Sequence, residues 1–328
     1  MRKFLSIVIP RFQEAERDIF PLLASISGQV GVDFSDIETV ISNDGGSTPL
    51  DENFLGLFDM EIRQVFLENN GGPGAARQNG LDAAVGQYVM FCDADDTLHN
   101  VGILGAVMQE AEKTAADILA TSWLEELRDL EGRCSYIPHE QENTWMHGKL
   151  FRRAFLTEND IRFHPDLRVH EDSYFLSVAS AAAHNSRYLP VTSYVWKFNP
   201  NSITRRNGGV YTYDSIPVFI EAVTASFKVV EQIAPAQMGY KVVQFVLYNY
   251  FQFHRAGWQA AETAGYLRAA EEAFVRYMGP FWHYWTSVDP RFIAELYNQE
   301  RQKSFAGGVE SETVGAWIQR LGMTSNPT

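Results

Sequence analysis

The stretch Gln87-Tyr-Val-Met-Phe-Cys-Asp-Ala-Asp-Asp96 joins an apolar run to a cluster of acids. Residues 88–92 are rich in strand formers and read as a buried strand. Asp93, Asp95 and Asp96 follow at once. In an open α/β sheet, ligands bind beyond the carboxyl ends of the strands. Two aspartates one residue apart can direct oxygens at a hard divalent cation, which also takes substrate phosphates. Taken alone, the same triplet also fits an acidic, solvated turn, so the flanking sequence decides.

Upstream, Phe4-Leu-Ser-Ile-Val-Ile-Pro10 reads as a first buried strand, and the spacing of Ile19, Leu22, Leu23 and Ile26 predicts a helix over 19–30. A second strand is expected at 36–42, with a polar turn at 43–48, and a third strand at 61–67. The loop 68–74 opens a helix near Ala75 that runs to Val85. Pro73 suits its first turn and Gly86 its end. Downstream, a helix is expected at 101–115, a strand at 117–123, and a hairpin over 125–138 with Gly132 at its tip. A helix follows at 173–183, then a strand at 188–198 broken at Pro190, then a polar loop at 199–209. Strands alternating with helices at this spacing imply an α/β fold with a mainly parallel, Rossmann-like sheet and flanking helices. From Tyr211 the apolar and aromatic residues recur at helical spacing, over 211–256, 258–278 and 291–302. The expected organisation is a catalytic domain at 1–209 and a helical C-terminal domain at 210–328, whose many aromatic residues read as helix-packing core rather than as a sugar-stacking surface.

Composition narrows the function. The 328 residues are 45% hydrophobic, ample for a large core. A net charge of -14 and a pI near 5.0 argue against a nucleic-acid binder and against a polybasic membrane anchor. No apolar run reaches a membrane span or a signal-peptide core, so a cytoplasmic protein is expected. The same lack argues against a processive polymer synthase. Cys92 and Cys134 make neither a disulfide framework nor a zinc site.

Four segments in order resemble the family 2 glycosyltransferases of GT-A fold. Pro10-Arg-Phe-Gln-Glu14 resembles their Pro-x-Tyr/Phe-Asn-x-Glu opening. Asn43-Asp-Gly-Gly-Ser-Thr48 resembles their Asp-Asp-Gly-Ser turn. Asn70-Gly-Gly-Pro-Gly-Ala-Ala-Arg-Gln-Asn-Gly-Leu81 resembles their Asn-x-Gly-x-x-x-Ala-Arg-Asn-x-Gly segment, and 86–96 their Gly-x-Tyr-(apolar)-Asp-x-Asp-Asp segment. Further on, Trp145-Met-His-Gly-Lys-Leu-Phe-Arg152, the Glu171-Asp172 pair and Asn201-Ser-Ile-Thr204 resemble segments of members that act on cell-surface polymers such as teichoic acids. Asn43 and Gln78 depart from the pattern, on the nucleotide side.

The resemblance implies an inverting transfer from a nucleotide diphosphate sugar, of the UDP type, to a hydroxyl of a surface glycan or glycopolymer, with Mn²⁺ or Mg²⁺. It implies Asp172 as general base with Glu171 as its neighbour, and Asp93 and Asp95 as metal ligands, with Asp96 orienting them. Pro10, Phe12, Glu14, Asp44, Arg77, Asp93 and Ala94 fall on the nucleotide-sugar side. Ser202, Thr204, Arg205 and Arg206 would close over the diphosphate, and Trp145, His147 and Lys149 would face the acceptor. His147 or His170 is open as a further ligand, against the plainer reading of a hydrogen-bonded histidine. The resemblance is compatible with peripheral membrane association and with a homo-oligomer formed through the C-terminal helices.

Two rival readings fit parts of the same sequence. Phe91-Cys-Asp-Ala-Asp-Asp-Thr-Leu98 also resembles the Asp-x-Asp-Gly-Thr-Leu motif of haloacid-dehalogenase-like phosphatases. That motif normally ends a first strand, and Asp96 stands where it has Gly. The other rival is a nucleotide-sugar-binding module without activity, against which the intact acids at 93, 95 and 172 speak.

Overall fold

The computed structural model describes residues 3–141, 144–202, 205, 211–255, 257, 258, 260–304 and 312–323. The chain divides into two compact units, Met1–Pro200 and Asn201–Thr328. The division thus falls inside the polar 199–209 segment, at its start and not at residue 209 where the composition shifts.

The first unit begins with β1 (Leu5–Arg11), α1 (Glu16–Ser27), β2 (Ile37–Asn43), α2 (Glu52–Leu55) and β3 (Ile62–Phe66). It continues through α3 (Pro73–Ala83), β4 (Tyr88–Phe91), β5 (Thr97–Leu98), α4 (Ile103–Thr114), β6 (Ile118–Arg128) and β7 (Cys134–His139). It closes with β8 (Lys149–Arg152), α5 (Arg153–Glu158), α6 (Glu171–Ala182) and β9 (Ser186–Trp196). The strand order is β3-β2-β1-β4-β8-β6-β9-β5, with β7 beside β6. The first four strands in that order run parallel. β2 is buried along its whole length, as a parallel strand covered on both faces should be.

Expected and observed elements differ where local chemistry outweighs apolar spacing. α1 starts at Glu16, ahead of its first apolar residue, because Glu16 and Asp18 suit the positive N-terminus. α3 starts with Pro73 at its first position and ends at Ala83, short of Val85. The chain leaves the helix there to give the Val85 amide to buried Glu38 at 2.7 Å. β8 has no counterpart in the sequence reading. Its four residues pair antiparallel with both β4 and β6. β6 is longer than expected and forms the anticipated hairpin with β7, with Gly132 in its turn. β9 is continuous through Pro190, which sits at a register shift against β6 where no ladder bond is required.

α3 lies unusually close to β1. A Cβ added at Gly80 would stand 2.4 Å from Val8 Cγ1 in the core. Gly80→Ala is therefore expected to destabilise the first unit by about 1–3 kcal/mol by overpacking, despite alanine's better helix propensity. Urea denaturation checks this, and an unchanged or raised midpoint would refute the tight approach.

The second unit is helical: α7 (Tyr211–Asp214), α8 (Ile216–Ile233), α9 (Met238–Phe253), α10 (Ala264–Met278), α11 (Trp282–Ser287), α12 (Pro290–Ser304) and α13 (Val314–Arg320). The continuous pattern over 211–256 is interrupted at Ala234, which leaves the helical conformation, and Pro235 then opens a short 3₁₀ turn before α9. Many of its aromatic residues are core: Trp317 is fully buried against Tyr250, Phe253 and Phe274. Among the described residues, no helix is long and apolar enough to cross a membrane.

Candidate active site

The carboxyl end of β4 delivers the acids. Cys92 is a buried free thiol, and its amide still bonds to the Val8 carbonyl at 3.0 Å, so the ladder holds up to the residue before Asp93. A tight turn follows, with the Asp96 amide on the Asp93 carbonyl at 3.1 Å. Tyr194 of β9 then fixes the turn. Its hydroxyl accepts from the Asp93 amide at 2.9 Å and donates to Asp96 Oδ2 at 2.6 Å. Asp96 is fully buried, and its Oδ1 accepts from the Lys197 amide at 2.7 Å. Burial, with Asp93 and Asp95 adding to it, pushes the Asp96 carboxyl well above the usual range. Asp95 is half-buried and accepts from Asn199 Nδ2 at 2.7 Å.

Arg77, on the inner face of α3, connects this turn to a second pair of acids. Its guanidinium lies 2.6 Å from Asp93 Oδ1 and 2.5 Å from Glu171 Oε1. Arg77 and Glu171 are both buried, while about a third of the Asp93 side chain stays open (32%). Burial alone would lower the Arg77 pKa, but Asp93, Glu171 and Asp172 outweigh it and raise it. For Asp93, burial acts upward, and the opposing attraction of Arg77 leaves it below the usual range. Glu171 is pushed up to about 7 by burial and by Asp172, against Arg77. Asp172 begins the same helix, α6, where an acid also suits the positive end, and its Oδ1 accepts its neighbour's amide, Ser173 N, at 2.8 Å. Its carboxyl is raised, chiefly by burial and also by Asp93, with Arg77 opposing.

The nucleotide-side residues named from sequence surround the ends of β1 and β2. Pro10 is half-buried and Phe12 exposed. Glu14 Oε2 accepts from the Phe12 amide at 2.6 Å, and burial raises its pKa, with Asp95 contributing. Asp44 is buried, and its carboxylate is taken up by the amides of Gly71 and Gly72 at 2.7 and 2.8 Å. It holds the loop that starts α3, and so positions Arg77. Ala94 is buried within the acidic turn. The two departures from the family pattern serve the fold. Asn43 Oδ1 accepts from Arg11 at 2.6 Å, and Gln78 Oε1 accepts from the Phe163 amide at 2.9 Å.

On the other side, the loop into β8 turns at Gly148, whose φ of +65° is costly for any residue with a side chain. The turn brings His147 to the acids. A ring nitrogen of His147 and carboxylate oxygens of Asp93 and Asp96 all lie within 4.8 Å of one another. Burial lowers the His147 pKa to about 4, so the ring is neutral at pH 7, although Asp93 pulls the other way. Its ring stacks on Tyr194 at 4.9 Å and on the half-buried Trp145 and Trp196 at 6.2 and 5.7 Å. Lys149 is buried with its ammonium on the Trp145 carbonyl at 2.6 Å, so it braces this loop from within.

Ser202 and Arg205 belong to the second unit, where the Arg205 amide bonds to the Ser202 carbonyl at 3.1 Å. Thr204 and Arg206 lie outside the described residues. The sequence reading missed Tyr194, Trp123, Trp196 and Asn199. Tyr194 and Trp196 alternate on β9, a period-2 signal, but nothing in one strand says which acids it will meet.

The description "Glycosyl transferase family 2" matches residues 6–164 of this chain. EpsJ of Bacillus subtilis (strain 168), an uncharacterized glycosyltransferase, is 29% identical over 229 residues, covering 62% of this chain and 64% of its own. The succinoglycan biosynthesis protein ExoO of Rhizobium meliloti (strain 1021) is 25% identical over 241 residues, 66% of each chain. The chain thus spans just under two thirds of the length of these relatives. TarS of Staphylococcus aureus (strain Mu50 / ATCC 700699), a poly(ribitol-phosphate) beta-N-acetylglucosaminyltransferase, is 26% identical over 214 residues, 60% of this chain and 35% of its own. The crystal structure of S. aureus TarS 1-349 in complex with UDP shares the fold, with a TM-score of 0.55 at 19% identity over 92% of this chain and 88% of that one. β4, its acids and Arg77 all lie inside the segment that matches the glycosyl transferase family 2 model, and the chain has the GT-A fold of TarS.

Proposed function

We propose that the chain moves a sugar, with inversion, from a nucleotide diphosphate sugar of the UDP type to a hydroxyl of a surface glycan or glycopolymer, using Mn²⁺ or Mg²⁺. The observation that carries this reading is Arg77, which ties Asp93 at the end of β4 to Glu171 beside Asp172. A donor diphosphate at Asp93 and a base at Asp172 then lie around a single buried guanidinium. The names of ExoO and TarS support the polymer acceptor, and the TarS complex supports UDP.

The residues present fit a divalent cation. Arg77 takes only Oδ1 of Asp93, and Oδ2 has no hydrogen-bond donor among the described residues. Asp95 stays half-open beside it. Asp93 and Asp95 would hold the cation, which would neutralise charge on the leaving diphosphate. Asp172 would take the proton of the acceptor hydroxyl. Pro10, Phe12, Glu14 and Ala94 would edge the nucleotide, and Trp145 the acceptor, with Lys149 keeping that loop in shape.

Asp95→Ala is expected to abolish metal-dependent binding of a UDP-sugar in calorimetry. Unchanged affinity and metal response would refute the ligand role. Turnover over a panel of UDP-, GDP- and dTDP-sugars tests the donor type. The pH profile carries a sign. A base acts deprotonated, so rate falls as pH drops through its folded pKa. Because burial raises Asp172, the acid limb of kcat/KM is expected above the ordinary aspartate value of about 3.9. A limb at or below that value would contradict the assignment.

A further inference from the structure

We infer that His147 is a ligand of the cation, beside Asp93, and that its nitrogen makes the site prefer Mn²⁺ to Mg²⁺. The inference rests on the metal-dependent reading above. It starts from geometry. A His147 ring nitrogen lies within 4.8 Å of carboxylate oxygens of both Asp93 and Asp96. His147 is only 6% exposed. Among the described residues its ring makes no hydrogen bond, and it packs on the aromatic rings of Trp123, Trp145, Tyr194 and Trp196. Buried polar atoms normally have a partner. The imidazole is stacked among aromatic rings with a nitrogen beside two carboxylates, so a cation held by those acids is within its reach.

Three features prepare the site. Asp93 gives Oδ1 to Arg77 and keeps Oδ2. Asp96 is held by the Tyr194 hydroxyl and the Lys197 amide, and so fixes the turn that presents Asp93. Rings on several sides hold the imidazole plane, and Gly148 sets the turn that brings it in. His170, the other histidine open from sequence, is not part of this group. The donor set decides the metal. Mg²⁺ demands oxygen ligands and sheds water reluctantly, whereas an imidazole nitrogen favours transition-metal ions.

The test uses the whole chain with UDP and Mn²⁺ and reads electron spin-echo envelope modulation from the bound ion. Nitrogen-14 modulation is expected, changing to the nitrogen-15 pattern in protein grown on ¹⁵N-histidine. It should vanish in His147→Gln and persist in His170→Gln. In His147→Gln, Mn²⁺ affinity should fall about 10-fold or more, with a smaller change for Mg²⁺. The wild-type spectrum alone decides the matter if the variant does not fold. Tightly bound Mn²⁺ without histidine nitrogen coupling overturns the role of His147 and leaves the metal-dependent reading standing. No Mn²⁺ binding in the presence of UDP overturns both.

Discussion

Asp172→Asn is expected to lower kcat by about 10²–10⁴-fold, the usual cost of losing a positioned base, with little change in UDP or Mn²⁺ binding. Asparagine keeps the size and can still accept the Ser173 amide that Asp172 Oδ1 now holds at 2.8 Å. It cannot take a proton from an acceptor hydroxyl. Donor binding should survive because, among the described residues, Asp172 makes no hydrogen bond with Asp93 or Asp95, and the Arg77 bridge runs through Glu171 instead. Glu171→Gln should be milder in rate, because glutamine can still accept from Arg77, and Glu171 acts by holding and charging its neighbourhood. A pre-steady-state assay with calorimetry of UDP binding separates the two effects. Near-normal turnover in Asp172→Asn, or a loss explained entirely by unfolding in circular dichroism, would refute the base.

Arg77→Met is expected to cost about 3–5 kcal/mol of stability at neutral pH, the range for removing one partner of a buried ion pair. The size follows from what is left behind. Glu171 is buried, Asp93 is two-thirds covered, and neither has another cation at hydrogen-bond distance among the described residues. The pH dependence has a definite sign. In the variant both acids lose the charge that favours ionisation, so their folded pKa values rise above the unfolded ones. Stability is then lost as pH rises through those values and recovered as pH falls and the acids protonate. The deficit relative to the parent should therefore shrink between pH 7 and pH 5. Urea denaturation at the two pH values checks this. A deficit under about 1 kcal/mol at pH 7, or one that does not change with pH, would mean that water or a shifted side chain satisfies the acids. The same variant should lose donor binding, since Asp93 would no longer be held in place.

The legible part of the site is the part carried by contiguous sequence. Asp93, Asp95 and Asp96 follow their strand directly, and Glu171-Asp172 open a helix, so side-chain chemistry and local period locate both groups. Asp44 was legible as a residue of the site region but not in its action. Its carboxylate meets amides that stand at Gly71 and Gly72, and no local pattern reveals such a pairing. The sequence puts Arg77 on the nucleotide side, whereas the fold sets it between two acids, one just past β4 and one in α6.

Apolar period and turn chemistry in the sequence determined the parallel strands β1 to β4, the helices between them, the acidic strand end and the helical remainder. These depend on contacts within a few residues or on burial of one face, so the chain states them locally. Tertiary structure alone decided that the four residues of β8 enter the sheet antiparallel beside β4, and that β9 then returns parallel to β6. A four-residue strand has too little period to be read, and its register is set by partners far away in the chain. That insertion is what carries His147 to Asp93 and sets Tyr194 over Asp96. Which acids would share one arginine, and which histidine would face them, is a matter of how sheet edges meet, and no single segment of the sequence contains it.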